Sequence, residues 1–224
     1  MLTDTDRHER GLGTLRQIGG PEGMVSLTAL TDFAPDLVRF AIDFAYGEVL
    51  SRAGIDLKTR QLCTVAALSA MGTATPQLKW HIDGALNVGW EPSDILDALL
   101  VSAVNTGSAA VGRSLLTARE VFETRDAGAD ALAALDDASA RWCEIPPAFE
   151  GLELDHRTKA LISIAALTAV ANAPPRLKAH VRAALDAGAS REQVIEVIEQ
   201  MAVYAGFPAA LNGMAAAREV FEGC

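Results

Sequence analysis

The chain has 224 residues, half of them hydrophobic and only 5% aromatic, and its formal net charge is −10. This composition supports a substantial core and excludes a chain that is disordered throughout. The negative charge disfavours nucleic-acid binding, because phosphate contacts need a basic face. The apolar residues are mostly Ala, Leu and Val, which favours packed helices over β-sandwiches or barrels.

Neither a targeting segment nor a membrane span is expected. The opening residues, MLTDTDRHER, are charged and lack the apolar stretch of a signal peptide. The most apolar run, 161–175, contains Ser, Thr and Asn and is shorter than the ~20 residues that cross a bilayer. Cys63, Cys143 and Cys224 are odd in number and form no CxxC or zinc spacing. We therefore expect a cytoplasmic protein with free thiols and no membrane partner.

The predicted elements are helical throughout, and no segment has the pattern of a strand. In chain order, apolar spacing and capping residues predict helices over 5–18, 34–52, 57–72, 76–88, Ser93 to Gly107, a segment ending at 123, 129–142, 156–171, 175–187, Ser190 to Gly206, and a segment ending at 222. Asp56 and Asp155 are predicted N-caps, and Gly89 and Gly188 are predicted to end their helices.

The sequence contains a duplicated unit. Residues 56–123 (unit one) align without a gap with residues 155–222 (unit two), at a constant offset of 99 positions. TVAALSA in unit one matches SIAALTA in unit two, TPQLKWH matches PPRLKAH, and AREVFE occurs in both. The pattern predicts an all-α fold in three parts: a first unit with N-terminal helices over 1–124, a helical connector over 125–151, and a second unit over 152–224.

Two histidines, His81 and His180, occupy equivalent positions in the two units. A histidine kept in both copies of a diverged duplication indicates a general acid or base near neutral pH. The alternative is a structural histidine that bonds a backbone carbonyl. Neither has a second His, Cys or carboxylate four residues on, so no metal site is predicted. His8 and His156 are expected to be solvated.

Further candidates lie around these histidines. Glu48 and Arg52 belong to the segment FAYGEVLSRAG, and Arg60 lies in the first turn of the helix predicted over 57–72. Lys79 stands two residues before His81, and Tyr204 lies in VYAGFPAA. For each of them, a solvated charge or a core tyrosine is the alternative interpretation.

Several segments together resemble the carboxymuconolactone decarboxylase family, within the AhpD-like superfamily. They are IDLKTRQL, PQLKWHIDGALNVG and VYAGFPAALN, and the resemblance covers residues 33–123 and 152–222. It implies a duplicated all-α AhpD-like bundle and a cofactor-independent lyase acting on a small carboxylated lactone or related acid. It also implies a homo-oligomer, in which a homotrimer of two-unit chains is favoured and a homodimer is the alternative.

The resemblance also excludes one reaction. The peroxidase branch of the superfamily carries a CxxC ahead of the histidine. The matching positions here hold Ala74 and Gln77 in unit one, and Ala173 and Arg176 in unit two. Because no thiol is available there, a thiol peroxidase is not expected.

The chain departs from the decarboxylase pattern as well. The glutamate that usually follows the basic residue of the KTRE-like segment is Gln61 in unit one and Ala160 in unit two. Asn105 stands in unit one where unit two has Tyr204, and Ser108-Ala109 stand where unit two has Phe207-Pro208. We therefore expect one working site built from pieces of both units, or one live and one decayed site.

The resemblance implies a role for each candidate residue. His81 or His180 would transfer a proton, Tyr204 would polarise the substrate carbonyl, and Glu48 would replace the missing glutamate. The basic residues Arg60, Lys79 and Arg52 would bind the carboxylate of the substrate. The alternatives are a biosynthetic isomerase, cyclase or decarboxylase on the same scaffold, or a non-catalytic helical assembly protein. A pocket filled by Trp80, Trp90 or Met71 would favour the hypothesis of a non-catalytic assembly protein.

Overall fold

A computed structural model describes residues 4–20, 25–107, 110–143 and 151–223. The elements up to the end of unit one are α1 (Asp4–Gly19), α2 (Val25–Thr28), α3 (Pro35–Phe40), a π-helix (Ala41–Leu50), α4 (Leu57–Met71), α5 (Thr75–Asn87), α6 (Pro92–Thr106) and α7 (Val111–Thr124). The connecting helix and unit two follow as α8 (Ala129–Cys143), α9 (His156–Val170), α10 (Pro174–Asp186) and α11 (Arg191–Glu222). Within these ranges all regular structure is helical, which confirms the predicted all-α class.

Helices α4 and α9 form the centre of the molecule. They are equivalent in the two units and pack more extensively on each other than any other pair of elements. Asp56 and Asp155 cap them as predicted, because each carboxylate accepts the backbone N–H three residues on, from Thr59 at 2.8 Å and Thr158 at 3.0 Å. Both helices are buried on nearly every side. The remaining helices of each unit surround this pair.

Glycines end the helices where the sequence predicts it. Gly89 and Gly188, both at φ +89°, follow α5 and α10. Gly107, at φ +62°, ends α6. Gly206 has φ 82° and ψ 165°, so α11 consists of two helical parts that meet at a kink, with Pro208 just beyond it. Pro146 and Pro147, where the sequence predicts that the chain breaks ahead of unit two, lie outside the described residues.

Helix α11 is long and apolar enough to cross a membrane, alone among the described helices. Val194, Ile198 and Ala217 are completely buried within the protein, and α11 packs on α9 and α10. A core helix passes the same test of length and composition, and the packing of α11 is that of a core helix.

The N-terminal part differs in detail from the prediction. The segment predicted as one amphipathic helix over 34–52 is α3 followed by the wider π-helix. Helices with this i→i+5 bonding are uncommon and often lie at functional sites. Helix α1 packs across the π-helix and against α5, where the Asn87 side chain donates to the Ile18 carbonyl oxygen at 2.8 Å.

Two glycines allow α1 and the π-helix to approach closely. A Cβ atom added at Gly11 would overlap the carbonyl oxygen of Ile42, and one added at Gly47 would overlap that of Arg7. A Cβ added at Gly13, also in α1, would meet no atom within 4 Å. Only the first two positions therefore require glycine for packing.

We expect Gly11→Ala to lower the free energy of unfolding by about 1–3 kcal/mol, because the added methyl group forces the two backbones apart. Gly13→Ala is the matched control. It should be neutral or stabilise by up to about 1 kcal/mol, since alanine favours the helix and nothing obstructs it. Urea titration measures both. Equal effects of the two substitutions would contradict the proposed close contact.

Candidate active site

A buried ion pair joins the two units. The guanidinium of Arg60, on α4, has no solvent exposure, and its Nη2 atom lies 2.6 Å from Oε2 of Glu196, on α11. The same nitrogen donates to the Arg52 carbonyl oxygen at 3.0 Å, and Nη1 donates to Gln200 at 3.2 Å. Arg60 therefore does not reach solvent. Its charge is already paired with Glu196, so the geometry gives no support to a direct contact with substrate, and the role of substrate anchor stays a prediction.

Arg52 extends this pair to the surface. Its Nε atom donates to both oxygens of Glu196, at 2.8 and 3.0 Å, and its Nη2 atom lies 3.3 Å from Glu199. The hydrogen bond to Glu196 raises the pKa of Arg52 above its ordinary value, so the guanidinium stays charged. The side chain is 44% exposed. Arg52 can therefore meet a ligand while Glu196 fixes its position.

On its other side the ion pair continues as a chain of neutral groups. Gln200 donates to the Arg60 carbonyl oxygen at 2.9 Å and to the Thr64 hydroxyl at 2.8 Å. The Thr64 hydroxyl lies 3.2 Å from the hydroxyl of Tyr204, which in turn lies 3.5 Å from Nε2 of His81. Tyr204, from unit two, thus reaches the histidine of unit one and not His180.

His81 is enclosed. It is 3% exposed, its Nδ1 atom lies 2.9 Å from Oε1 of Gln61, and the ring of Trp80 packs edge-on at 4.7 Å. Burial lowers the pKa of His81 to about 3, so the ring is neutral at pH 7. If Gln61 accepts from Nδ1, then Nε2 is the acceptor that faces Tyr204. At neutral pH the ring is therefore not an imidazolium acid, and the predicted role of His81 in proton transfer stays a prediction.

Tyr204 keeps its proton. Burial raises its pKa above the ordinary value, although the hydrogen bond with Thr64 and the charge of Arg60 act in the opposite sense. Its hydroxyl is therefore a donor or acceptor of hydrogen bonds and not a phenolate at neutral pH. Burial likewise raises the pKa of Cys63 to about 12, which leaves that thiol unreactive.

An open cavity of about 380 Å³ lies between the π-helix and α11. Glu48 and Arg52 are on its wall, with Glu199 beside them, and the rest is apolar: Phe44, Val49, Ala202, Phe207, Ala210, Leu211 and Met214. Glu48 is half exposed and pairs with Arg7 at 3.1 Å and Arg10 at 3.7 Å. An apolar cavity with a few charged groups is the usual form of a small-molecule site.

The other predicted site residues lie elsewhere. Lys79 pairs with Glu120 at 3.0 Å and lies on the wall of a separate open cavity of about 690 Å³, which does not include Arg52, so its role as a substrate anchor stays a prediction. His180 lies in a separate cavity of unit two. His8, expected to be solvated, has its Nδ1 atom 2.6 Å from Asp43. Residues 108 and 109 lie outside the described structure, and no group of three possible metal-ligating side chains occurs in the described part of the chain.

Sequence reasoning missed Glu196 and Gln200. They precede Tyr204 by eight and four residues on one helix, so all three share a face. That spacing was a usable signal for polar groups directed at the same region. Nothing in the local sequence indicates that the region is the buried guanidinium of Arg60.

Comparison with known proteins agrees with this architecture. The sequence model of the carboxymuconolactone decarboxylase family matches residues 35–120 and 148–219. A 4-carboxymuconolactone decarboxylase of Acinetobacter baylyi is 32% identical over 123 residues, which are 54% of this chain and 91% of that protein. An uncharacterized 15.0 kDa protein of Paracoccus denitrificans is 39% identical over 101 residues, 45% of this chain and 75% of that protein. The chain belongs to the carboxymuconolactone decarboxylase family and carries its unit twice.

Proposed function

We propose that the protein is a cofactor-independent carboxy-lyase acting on a small carboxylated lactone or related acid, in the cavity between the π-helix and α11. The observation that carries this proposal is the presence of Glu48 and Arg52 on one wall of an apolar cavity, in a chain of this family. The relative whose name states this reaction, from Acinetobacter baylyi, supports the reaction class.

The chemistry assigns a task to each of these two groups. Loss of carbon dioxide from a carboxylated lactone breaks a carbon–carbon bond and leaves the electron pair delocalised toward the lactone carbonyl. Arg52 binds a carboxylate of the substrate and stabilises the negative charge. Glu48 carries a proton from solvent to the ring carbon, completing the reaction. Neither task requires a metal or an organic cofactor.

The groups behind the wall act through Arg52. Glu196 holds the Arg52 guanidinium, Arg60 holds Glu196, and the chain through Gln200 and Thr64 ends at Tyr204. These are positioning residues, because their polar atoms are buried and do not reach the cavity. His81 has the same role at the far end of the chain.

One observation favours a different reaction on the same scaffold. Gln61, at the position of the family glutamate, is hydrogen-bonded to His81. A neutral amide cannot stabilise an imidazolium as a carboxylate would. An isomerase or cyclase that needs a neutral histidine is the second candidate function. Product analysis distinguishes it, because such an enzyme would convert a lactone without releasing carbon dioxide. The hypothesis of a non-catalytic assembly protein is weakened, because Trp80 packs on His81 but leaves the cavity at Arg52 open.

The test is carbon dioxide release from 4-carboxymuconolactone, without metal or thiol. We expect Glu48→Gln to lower kcat at least tenfold, because the proton carrier is lost, and Arg52→Gln to raise KM at least tenfold, because the anchor is lost. Arg218→Gln removes an equal charge from an exposed Arg–Glu pair and should stay within twofold of the parent protein. The proposal would be overturned if the folded protein released no carbon dioxide. It would also be overturned if His180→Gln abolished the activity while Glu48→Gln and Arg52→Gln retained it.

The predicted homo-oligomer stays a prediction. Large apolar side chains are exposed around the cavity mouth and along α3, as an interface between copies would require: Leu37, Phe40, Phe44, Phe207 and Leu211. Light scattering on the purified chain, at 23.6 kDa per protomer, would decide between the homotrimer and the homodimer.

A further inference from the structure

Unit two contains its own cavity, separate from the proposed active site. It measures about 480 Å³ and is lined by His156, Lys159, Ala160 and Ser163 of α9 and by His180 and Asp186 of α10, among others. Counted back by 99 positions, four of these correspond to residues of the buried network in unit one: Arg60, Gln61, Thr64 and His81. The two units therefore place equivalent backbone positions in different environments.

The corresponding space in unit one is filled. Ile18 of α1 is fully buried, and a Cβ atom at Gly84 would meet its side chain at 2.5 Å and Oε1 of Gln61 at 3.3 Å. In unit two the equivalents of Gly84 and Gln61 are Ala183 and Ala160, both on the cavity wall. The helix that precedes unit two, α8, packs against α6 and α7 and not over this wall. Among the described residues, nothing therefore closes this cavity as α1 and Gln61 close the space in unit one.

The charge balance of this cavity differs from that in unit one. Asp97 is the equivalent of Glu196, but its Oδ2 atom accepts the backbone N–H groups of Glu153 at 2.6 Å and Leu154 at 3.2 Å. The Lys159 ammonium donates to the Leu152 carbonyl oxygen at 2.7 Å. Within the described residues it has no carboxylate within 4.0 Å. A lysine that is 9% exposed therefore lacks the ion pair that its counterpart Arg60 has.

A cation in this position needs a compensating negative charge. Burying an ammonium without a carboxylate is unfavourable, and a bound anion removes that cost. Ser163 adds a hydroxyl, held by the Asn105 amide at 2.7 Å, and His180 adds an imidazole. Burial and the charge of Arg176 lower the pKa of His180, so at neutral pH the ring is a neutral hydrogen-bonding group. Alanines form the apolar part, and Asp186 is the one carboxylate on the described wall.

We propose that the cavity of unit two is a second binding site, which takes a small ring-shaped carboxylate. The carboxylate binds the Lys159 ammonium, and the ring packs on Ala160 and Ala183. The volume is within the range of small-molecule sites. The site is independent of the proposed lyase reaction, because it shares no residue with the cavity at Arg52.

The test is the binding of benzoate to the purified full chain, measured by isothermal titration calorimetry. We expect binding in the millimolar range or tighter, and benzamide, which keeps the ring without the charge, to bind at least tenfold more weakly. Ala160→Gln installs the residue of unit one in the cavity and should weaken benzoate binding at least tenfold. Lys159→Met should do the same by removing the ammonium.

Lys178→Met is the matched control, because it removes an equal charge from α10 at a lysine that pairs with Glu219 away from the cavity. It should leave benzoate binding within twofold. Ala160→Gln keeps the proposal testable if Lys159→Met fails to fold. Benzoate binding that is unchanged by Ala160→Gln, or no binding up to about 10 mM, would overturn the proposal. Because the readout is binding and not turnover, the result stands whether or not carbon dioxide is released from 4-carboxymuconolactone.

Discussion

Glu196→Gln is expected to lower the free energy of unfolding by about 3–5 kcal/mol. The substitution removes the charge that compensates the guanidinium of Arg60, which has no solvent exposure and lies 2.6 Å from the glutamate. An unpaired cation in this interior has neither water nor a counter-ion around it. The loss is therefore the cost of an isolated buried charge and is larger than the net stabilisation that the ion pair provides. Chemical denaturation followed by circular dichroism measures it.

Glu199→Gln provides the control for this prediction. Glu199 pairs with the same Arg52 guanidinium, but its side chain is 42% exposed and Arg52 is 44% exposed. Solvent screens the pair, so its removal should cost less than about 1 kcal/mol. Comparable losses for Glu196→Gln and Glu199→Gln would show that Arg60 is not held in a dry interior. That outcome would also weaken the assignment of Arg60 as a positioning residue.

The second large effect concerns pH. His81 binds a proton only below about pH 3 in the folded protein, whereas an unfolded histidine does so near its ordinary pKa of about 6.5. Between these values the unfolded chain binds more protons, so stability is present above pH 6.5 and is lost as the pH falls. From pH 7 to 4.5 this single group is expected to remove about 2.5 kcal/mol of stability.

His81→Gln should abolish that contribution. The parent protein and His81→Gln should therefore differ in how steeply the free energy of unfolding changes with pH, and not only in the free energy at one pH. His156→Gln, at an exposed position, should keep the slope of the parent protein. Urea titrations at pH 7, 5.5 and 4.5 give the three slopes. A slope unchanged by His81→Gln would mean that the ring is solvated, and the described burial of His81 would be wrong.

Much of the candidate site could be predicted from the sequence, but not its roles. Glu48 and Arg52 were predicted as site residues and lie together on one cavity wall. Their spacing of four residues would place them on one face of the helix predicted over 34–52, although the observed π-helix ends at Leu50 and Arg52 lies beyond it. Arg60 and His81 are predicted with them, but both are buried; Arg60 contacts the Arg52 backbone, whereas His81 lies at the far end of the hydrogen-bonded chain. Burial depends on α1 and α11, which cover these side chains from distant parts of the chain, and local pattern carries no information about that.

The equivalent histidines show the same limit. The duplication indicated that His81 and His180 share a position, and both do occupy the middle of an equivalent helix. It could not indicate that α1 closes one site while the other stays open, because α1 has no counterpart within unit two. The expectation of two chemically different sites rested on Gln61, Ala160 and Tyr204, and those substitutions do accompany different surroundings.

The helical class, most of the helix positions, the caps at Asp56 and Asp155 and the family could all be predicted from the sequence, whereas the π-helix could not. These features depend on residues within a turn or two of each other, or on a constant offset between two copies. Three contacts or absences follow from the tertiary structure alone: Tyr204 meets His81, Glu196 neutralises Arg60, and Lys159 has no carboxylate partner among the described residues. Each of these facts joins side chains from different helices, and in all three the strength of the electrostatic interaction is set by how much water the surrounding helices exclude.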